Sequence, residues 1–106
     1  MKPNLRIFAL FCLAASISVP AFAQSGGADI YKAKCLMCHG ADGLGTTPVG
    51  KALKIVSLKD PTVVKSSNAA LEAIIKSGKN KMPAFNDKLS DAQIGAVVAY
   101  IRTLEK

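Results

Sequence analysis

The chain has 106 residues, of which 14 are Lys or Arg and seven are Asp or Glu, so its formal net charge is +7. This length allows one domain at most, and so small a domain usually needs a disulfide, a metal, a cofactor or a partner to be stable. No recognition motif accompanies the positive charge, which disfavours nucleic-acid binding.

The first residues have the pattern of a secretory signal peptide. Lys2 and Arg6 precede an apolar run over 7–19, and Ala21-Phe22-Ala23 follows as a small-x-small cleavage site. The run is shorter than the ~20 apolar residues that a membrane-spanning helix requires. We therefore predict cleavage rather than a retained membrane anchor.

This interpretation divides the chain into a signal peptide, 1–23, and one mature domain, 24–106. Of the 14 basic residues, Lys2 and Arg6 leave with the peptide, so 12 remain against seven acidic residues and the net charge becomes +5. The mature protein is expected in the bacterial periplasm, without stable membrane insertion.

The front of the mature domain is predicted as a helix followed by loops. Helix-forming residues cover 28–38, and three glycines within 40–45 end the helix. The stretch 46–67 contains prolines and has no sustained apolar period. We predict a loop there, with one short helical turn around 50–53.

A second helix is predicted over 69–77, with Asn68 as its N-cap and Gly78 as its stop. The segment 79–89 is a second long loop. Loops of this length are unusual in a compact small domain unless something central organises them, and a buried cofactor would do so.

The last helix has the clearest signals. Ser90-Asp91-Ala92-Gln93 forms a capping box. An apolar stripe at helical spacing follows it: Ile94, Val97, Val98, Ile101 and Leu104. The predicted fold class is all-α, with about three to four helices wrapped around one cofactor.

The motif Cys35-Leu36-Met37-Cys38-His39 is the C-x-x-C-H sequence of c-type haem attachment. Two thiols at this spacing can add to the two vinyl groups of one porphyrin, and the adjacent histidine can ligate the iron. A four-ligand zinc site cannot close, because the chain has one His and Cys12 leaves with the signal peptide. A disulfide would close only a very small loop, so we predict one covalent haem c.

The chain has no second histidine, so the candidates for a second iron ligand are methionines. Met37 lies inside the attachment motif and cannot reach the opposite face of the ring, which leaves Met82, followed by Pro83. A thioether ligand fills the position where oxygen would bind and suits electron transfer. Two alternatives stay open: a haem enzyme or gas sensor with an exchangeable sixth ligand, and a dedicated subunit of one oxidoreductase complex.

These features resemble the class I monohaem cytochromes c, most closely the short c6/c553-type branch. The front of the mature chain is similar in Gly27-x-x-x-Tyr31-x-x-x-Cys35, and the back in Met82-Pro83-Ala84-Phe85 and Tyr100. The resemblance implies a soluble electron carrier, not an enzyme, with His39 and Met82 on the iron.

The resemblance also has structural implications. The first and last helices are expected to cross, so that Gly27 and Tyr31 meet the 97–100 region. A loop proline, here Pro48, is expected to accept a hydrogen bond from Nδ1 of His39 and so orient the imidazole ring.

Lysines cluster around the two loops: Lys51, Lys54, Lys76, Lys79 and Lys81. If the loops frame the haem edge, this charge would steer a monomeric carrier onto the acidic face of a reductase, oxidase or reaction centre. A solvated basic surface without a partner is the alternative interpretation.

Overall fold

The computed structural model describes residues 22–106, and the predicted signal peptide therefore lies almost entirely outside the described residues. Within this range six helices run in chain order: α1 (Phe22–Lys34), α2 (Leu36–His39), α3 (Pro48–Ala52), α4 (Pro61–Val64), α5 (Asn68–Ser77) and α6 (Asp91–Leu104). Over 22–106 the fold contains no strand, only one isolated bridge between Lys79 and Met82. The all-α prediction is confirmed.

The long predicted helices are present, with shifted boundaries. The single helix expected over 28–38 is divided at Cys35 into α1 and α2. The N-cap of α5 is Ser67 and not Asn68: the Ser67 Oγ accepts from the Ala70 N–H at 3.0 Å. Ser67 has the extended backbone that a cap needs. Asn68 uses its side-chain oxygen to accept from Arg102 Nε at 2.9 Å.

Two short helices occupy the stretch that was predicted mainly as loop. Both α3 and α4 begin with proline, and both have a capping residue before it, Thr47 and Asp60 respectively. Proline fits the first helical position, where its missing N–H has no partner to lose. The prolines therefore start helices here, although their presence had favoured a loop.

The core forms around α6. The side chains of Val97 and Val98 on this helix are almost completely buried, and the Ser90–Gln93 capping box closes its first turn as predicted. Ile94 and Ile101 of α6 are buried with them. The remaining buried side chains come from α1, α5 and the loops: Tyr31, Leu58, Leu71, Ile75, Phe85 and Leu89. No helix in the described range is long and apolar enough to cross a membrane.

Helix α1 packs directly on the backbone of α6 at Gly27. A Cβ atom at Gly27 would lie 2.1 Å from the Ala96 carbonyl oxygen, closer than any real contact. One turn further along α1, the rings of Tyr31 and Tyr100 pack at 5.2 Å between centroids, tilted by 56°. The expected meeting of Gly27 and Tyr31 with the 97–100 region is present.

We expect Gly27→Ala to lower the free energy of unfolding by about 2 kcal/mol, because the added methyl must push α1 away from α6. Gly26→Ala is the matched control, since a Cβ at Gly26 meets nothing within 4 Å. That change should leave stability unchanged or raise it by up to about 1 kcal/mol, the usual gain of Ala over Gly in a helix. Guanidinium unfolding of the mature proteins measures both. Equal effects of the two substitutions would contradict the close approach.

Candidate functional site

Two cavities share one group of side chains. The larger, of about 290 Å³, and the smaller, of about 80 Å³, are both lined by His39, Ile55 and Met82. Cys35 and Cys38 line the smaller cavity. Met82, although distant in the chain, is therefore brought to the same place as Cys35, Cys38 and His39.

The larger cavity is mainly aliphatic. Its apolar lining comes from Ile55, Val56, Leu58, Val63, Leu71, Ile74, Ile75 and Ile101. Its polar lining consists of His39, Thr62, Lys79 and Asn80. A concave apolar site with few polar groups is the usual form of a site for an organic cofactor.

Tyr31 ties the attachment motif to the core. Its buried hydroxyl donates to the Gly40 carbonyl at 2.5 Å, immediately after His39. Burial raises the pKa of Tyr31 above its usual value, so the hydroxyl stays protonated and able to donate. The end of α2 is thereby held against α1.

Helix α3 supports the motif from the other side. The Thr47 hydroxyl donates to the Met37 carbonyl at 2.6 Å and accepts from the Gly50 N–H at 2.9 Å. A Cβ at Gly50 would lie 2.4 Å from the Cys38 carbonyl oxygen, so only glycine allows this approach. Sequence reasoning missed both supports, although Thr47 before Pro48 is a helix-start signal that would have located α3.

The hydrogen bond expected between Pro48 and His39 is not formed. The buried Nδ1 atom of His39 has no hydrogen-bond partner among residues 22–106. Pro48 is the first residue of α3, and carbonyl groups in the first turn of a helix accept from N–H groups four residues further on. In this structure Pro48 starts α3 and does not orient the His39 ring.

The two methionines have opposite environments. Met37 is 72% exposed, whereas Met82 is partly buried and packs against the core. Met82 lines both cavities, and Met37 lines neither. Exclusion of Met37 from the site agrees with the sequence argument.

Comparison with known proteins gives one consistent family. The family model described as cytochrome c oxidase, cbb3-type, subunit III, matches residues 22–101. Cytochrome c6 of Synechococcus sp. is 38% identical over 105 residues, which cover 95% of this chain and 91% of the relative. Cytochrome c6 of Bryopsis maxima is 35% identical over 78 residues, which cover 71% of this chain and 84% of the relative.

Solved structures agree with this family. The c-type cytochrome KustC0563 superimposes with a TM-score of 0.69 at 29% identity, covering 76% of this chain and 98% of that chain. Cytochrome c6C of Synechococcus sp. PCC 7002 superimposes with a TM-score of 0.59 at 33% identity, covering 74% of this chain and 93% of that chain. The chain belongs to the class I c-type cytochromes, of the c6 type. It is an electron-transfer haem protein, and its cofactor is one covalently bound haem c.

The residues of this cytochrome fit that cofactor. A buried imidazole nitrogen without a partner is energetically unfavourable, and His39 Nδ1 is one. Burial lowers the pKa of His39, which favours the neutral imidazole that ligates metals. His39 therefore has a ring nitrogen that no group of the described residues engages, which leaves it available to a cofactor.

The two cysteines also fit. Both are free thiols rather than a disulfide, and both line the same cavity as His39. Burial raises the pKa of the Cys35 thiol to about 11, with the neighbouring Cys38 as a second cause. The thiol is therefore protonated at neutral pH, and its environment is better suited to an uncharged thioether than to a thiolate.

The lysines around the site differ from the sequence expectation. Lys79 and Lys81 lie on the cavity walls, as does Lys34, which sequence reasoning did not include. Lys76 instead forms an ion pair with Asp91 at 3.0 Å. Lys51 and Lys54 are exposed and line neither cavity.

Proposed function

We propose that this cytochrome is an exported carrier of single electrons, with haem attached through Cys35 and Cys38 and iron ligated by His39 and Met82. The observation that carries the proposal is the shared lining of the two cavities: the single histidine and the one sequestered methionine of the described residues both line them. Cysteines at the attachment spacing lie on the same walls.

This arrangement suits electron transfer better than catalysis. Bound haem supplies an iron that gains and loses one electron. His39 and Met82 would hold the iron, and a thioether ligand raises the reduction potential relative to a second imidazole. The lining of the larger cavity is mainly aliphatic, and transfer of an electron needs no acid or base of the chain to move a proton.

A haem enzyme or gas sensor would need an exchangeable sixth position, and Met82 decides between the two functions. We expect the oxidised Met82→Ala protein to lose the weak absorption band at the red end of the visible spectrum that accompanies a thioether on ferric haem. The reduced variant should bind CO, because its sixth position is open. Absorption spectra of the mature protein with and without CO measure both.

Met37→Ala is the matched control, because it removes the other methionine of the described residues. It should retain the red band and should not bind CO, since Met37 is exposed and lines neither cavity. Ready CO binding by the unaltered reduced protein would contradict the carrier function and favour the enzyme or sensor.

We also propose export by cleavage of residues 1–23, with attachment of haem in the periplasm. The intact mass of the mature protein should correspond to a chain that begins at Gln24 and carries one haem. Cys35→Ala and Cys38→Ala should each leave a single thioether link and reduce the yield of haem-bearing protein. A mature mass without haem, with Cys35 and Cys38 joined as a disulfide, would overturn the account.

The charge around the cavities supports a redox partner with an acidic docking face. Lys34, Lys79 and Lys81 line the cavities, and these lysines have no ion pair within the described residues. A local positive field raises the encounter rate with a negatively charged partner and is screened by salt. The matching family model describes an oxidase subunit, which supports the alternative of a dedicated subunit. Isolation under mild conditions distinguishes a free carrier from that subunit.

We expect Lys34→Glu combined with Lys81→Glu to slow electron exchange with anionic hexacyanoferrate roughly tenfold at low salt, because both charges lie at the cavity wall. The control is Lys32→Glu combined with Lys106→Glu, which changes the net charge equally at residues that line neither cavity. Stopped-flow rates should fall at most about threefold in the control. Equal slowing in both pairs would show that net charge, and not its position, controls the rate.

A further inference from the structure

We propose that residues 78–86, here called the Met82 loop, set the position of Met82 through backbone geometry, with Gly78 and Asn80 as positioning residues. This inference rests on the proposed role of Met82 as an iron ligand. It adds a mechanism by which the protein keeps Met82 in position to bind the iron and resists its displacement by other ligands.

The Met82 loop is fastened to the end of α5 at both of its own ends. The Gly78 N–H donates to the Ile74 carbonyl at 2.8 Å, and the Phe85 N–H donates to the Ile75 carbonyl at 3.0 Å. The Asn86 N–H donates to the Lys76 carbonyl at 3.2 Å. Carbonyl groups in the last turn of a helix lack intrahelical donors. The N–H groups of the returning loop supply the missing donors, and these hydrogen bonds anchor the loop to α5.

Gly78 is required at the start of the loop for two independent reasons. Its backbone has φ +77° and ψ 164°, a region that only glycine adopts readily. A Cβ there would lie 2.8 Å from the Met82 carbonyl oxygen and 2.9 Å from the Ala84 nitrogen. Both atoms belong to backbone that cannot yield as a flexible side chain would. Any other residue at 78 must therefore displace the segment that carries Met82.

A tight turn holds Met82 from its N-terminal side. The Lys79 N–H donates to the Met82 carbonyl at 3.1 Å, and the Met82 N–H donates to the Lys79 carbonyl at 2.9 Å. Asn80 inside this turn has φ +53°, a left-handed conformation. Asn and Gly adopt that conformation with little free-energy cost, whereas it is unfavourable for most other residues. Asn80 therefore favours closure of the turn.

Beyond the turn, Phe85 anchors the loop in the core. Its side chain is buried and lines the smaller cavity beside Met82. Between the turn and this anchor, Pro83 fixes its own φ. Met82 is thus held between the turn at Lys79 and the buried Phe85 side chain. Contacts within the protein, and not the iron–sulfur bond, therefore supply the free energy that orders the loop.

The test is competition for the iron by added imidazole in the mature ferric protein. Imidazole must displace Met82 from the iron. The apparent affinity of imidazole therefore rises when the loop holds Met82 less well in position. Met82→Ala gives the upper limit, because no internal competitor remains. We expect Gly78→Ala to approach that limit and to lose most of the red absorption band.

Asn80 offers a matched pair. Asn80→Ala and Asn80→Gly both remove the amide side chain, but the left-handed backbone conformation is energetically unfavourable only for alanine. We expect Asn80→Ala to bind imidazole about fivefold more tightly than Asn80→Gly, because the two variants differ only in the cost of the left-handed backbone. The pair remains informative if Gly78→Ala does not accumulate.

Ser67→Ala separates positioning from general stability. It removes the cap at the opposite end of α5, so it should lower the unfolding midpoint without changing the affinity for imidazole. If Gly78→Ala and Asn80→Ala bind imidazole as the native protein does while Met82→Ala binds it more tightly, the positioning role is wrong and the ligand assignment stands. If Met82→Ala also binds as the native protein does, the ligand assignment itself fails.

Discussion

The close approach of α1 to α6 at Gly27 is the constraint on which the attachment segment depends. Gly27 allows the two backbones to touch, and that contact fixes the register in which Tyr31 enters the core beside Tyr100. The hydroxyl of Tyr31 in turn holds the Gly40 carbonyl. A helix contact remote from the cavities thus determines where the chain emerges after His39.

Helix α6 also supports α5, which lines the larger cavity. Leu71 and Ile75 of α5 share one buried core with Ile94 and Val98 of α6, and the last carbonyls of α5 receive the N–H groups of the Met82 loop. His39 and Met82 belong to segments far apart in sequence that reach one cavity through a common support. Their convergence is therefore a property of the packed core, and no local segment of sequence encodes it.

Local chemistry explains which features could be predicted from the sequence. The attachment motif and the Ser90 capping box depend on spacing within five residues, and the capping box forms as predicted. Adjacent signals were harder to separate: Ser67 and Asn68 can each cap a helix, and only the contact of Asn68 with Arg102 decides which one does. Pro48 was interpreted through the family resemblance, whereas its position after Thr47 makes it a helix start. Lys34 was missed although it directly precedes Cys35, so its place beside the attachment motif could have located it at the cavity.

Arg102 of α6 also holds α4, whose Val63 lines the larger cavity. Its guanidinium donates to the carbonyl oxygens of Val63 and Val64 at 3.3 Å each, and to the Ser66 carbonyl. Glu105 accepts from the same group at 2.7 Å, which neutralises a charge that is largely shielded from solvent. Because a planar guanidinium can hold several acceptors at once, α4 stays in place as part of the cavity wall although it has only four residues. The connection between α4 and α5 is thus tied to the last helix through a single side chain. Such an arrangement can keep an apolar cavity open for a cofactor while most of the chain around it is irregular.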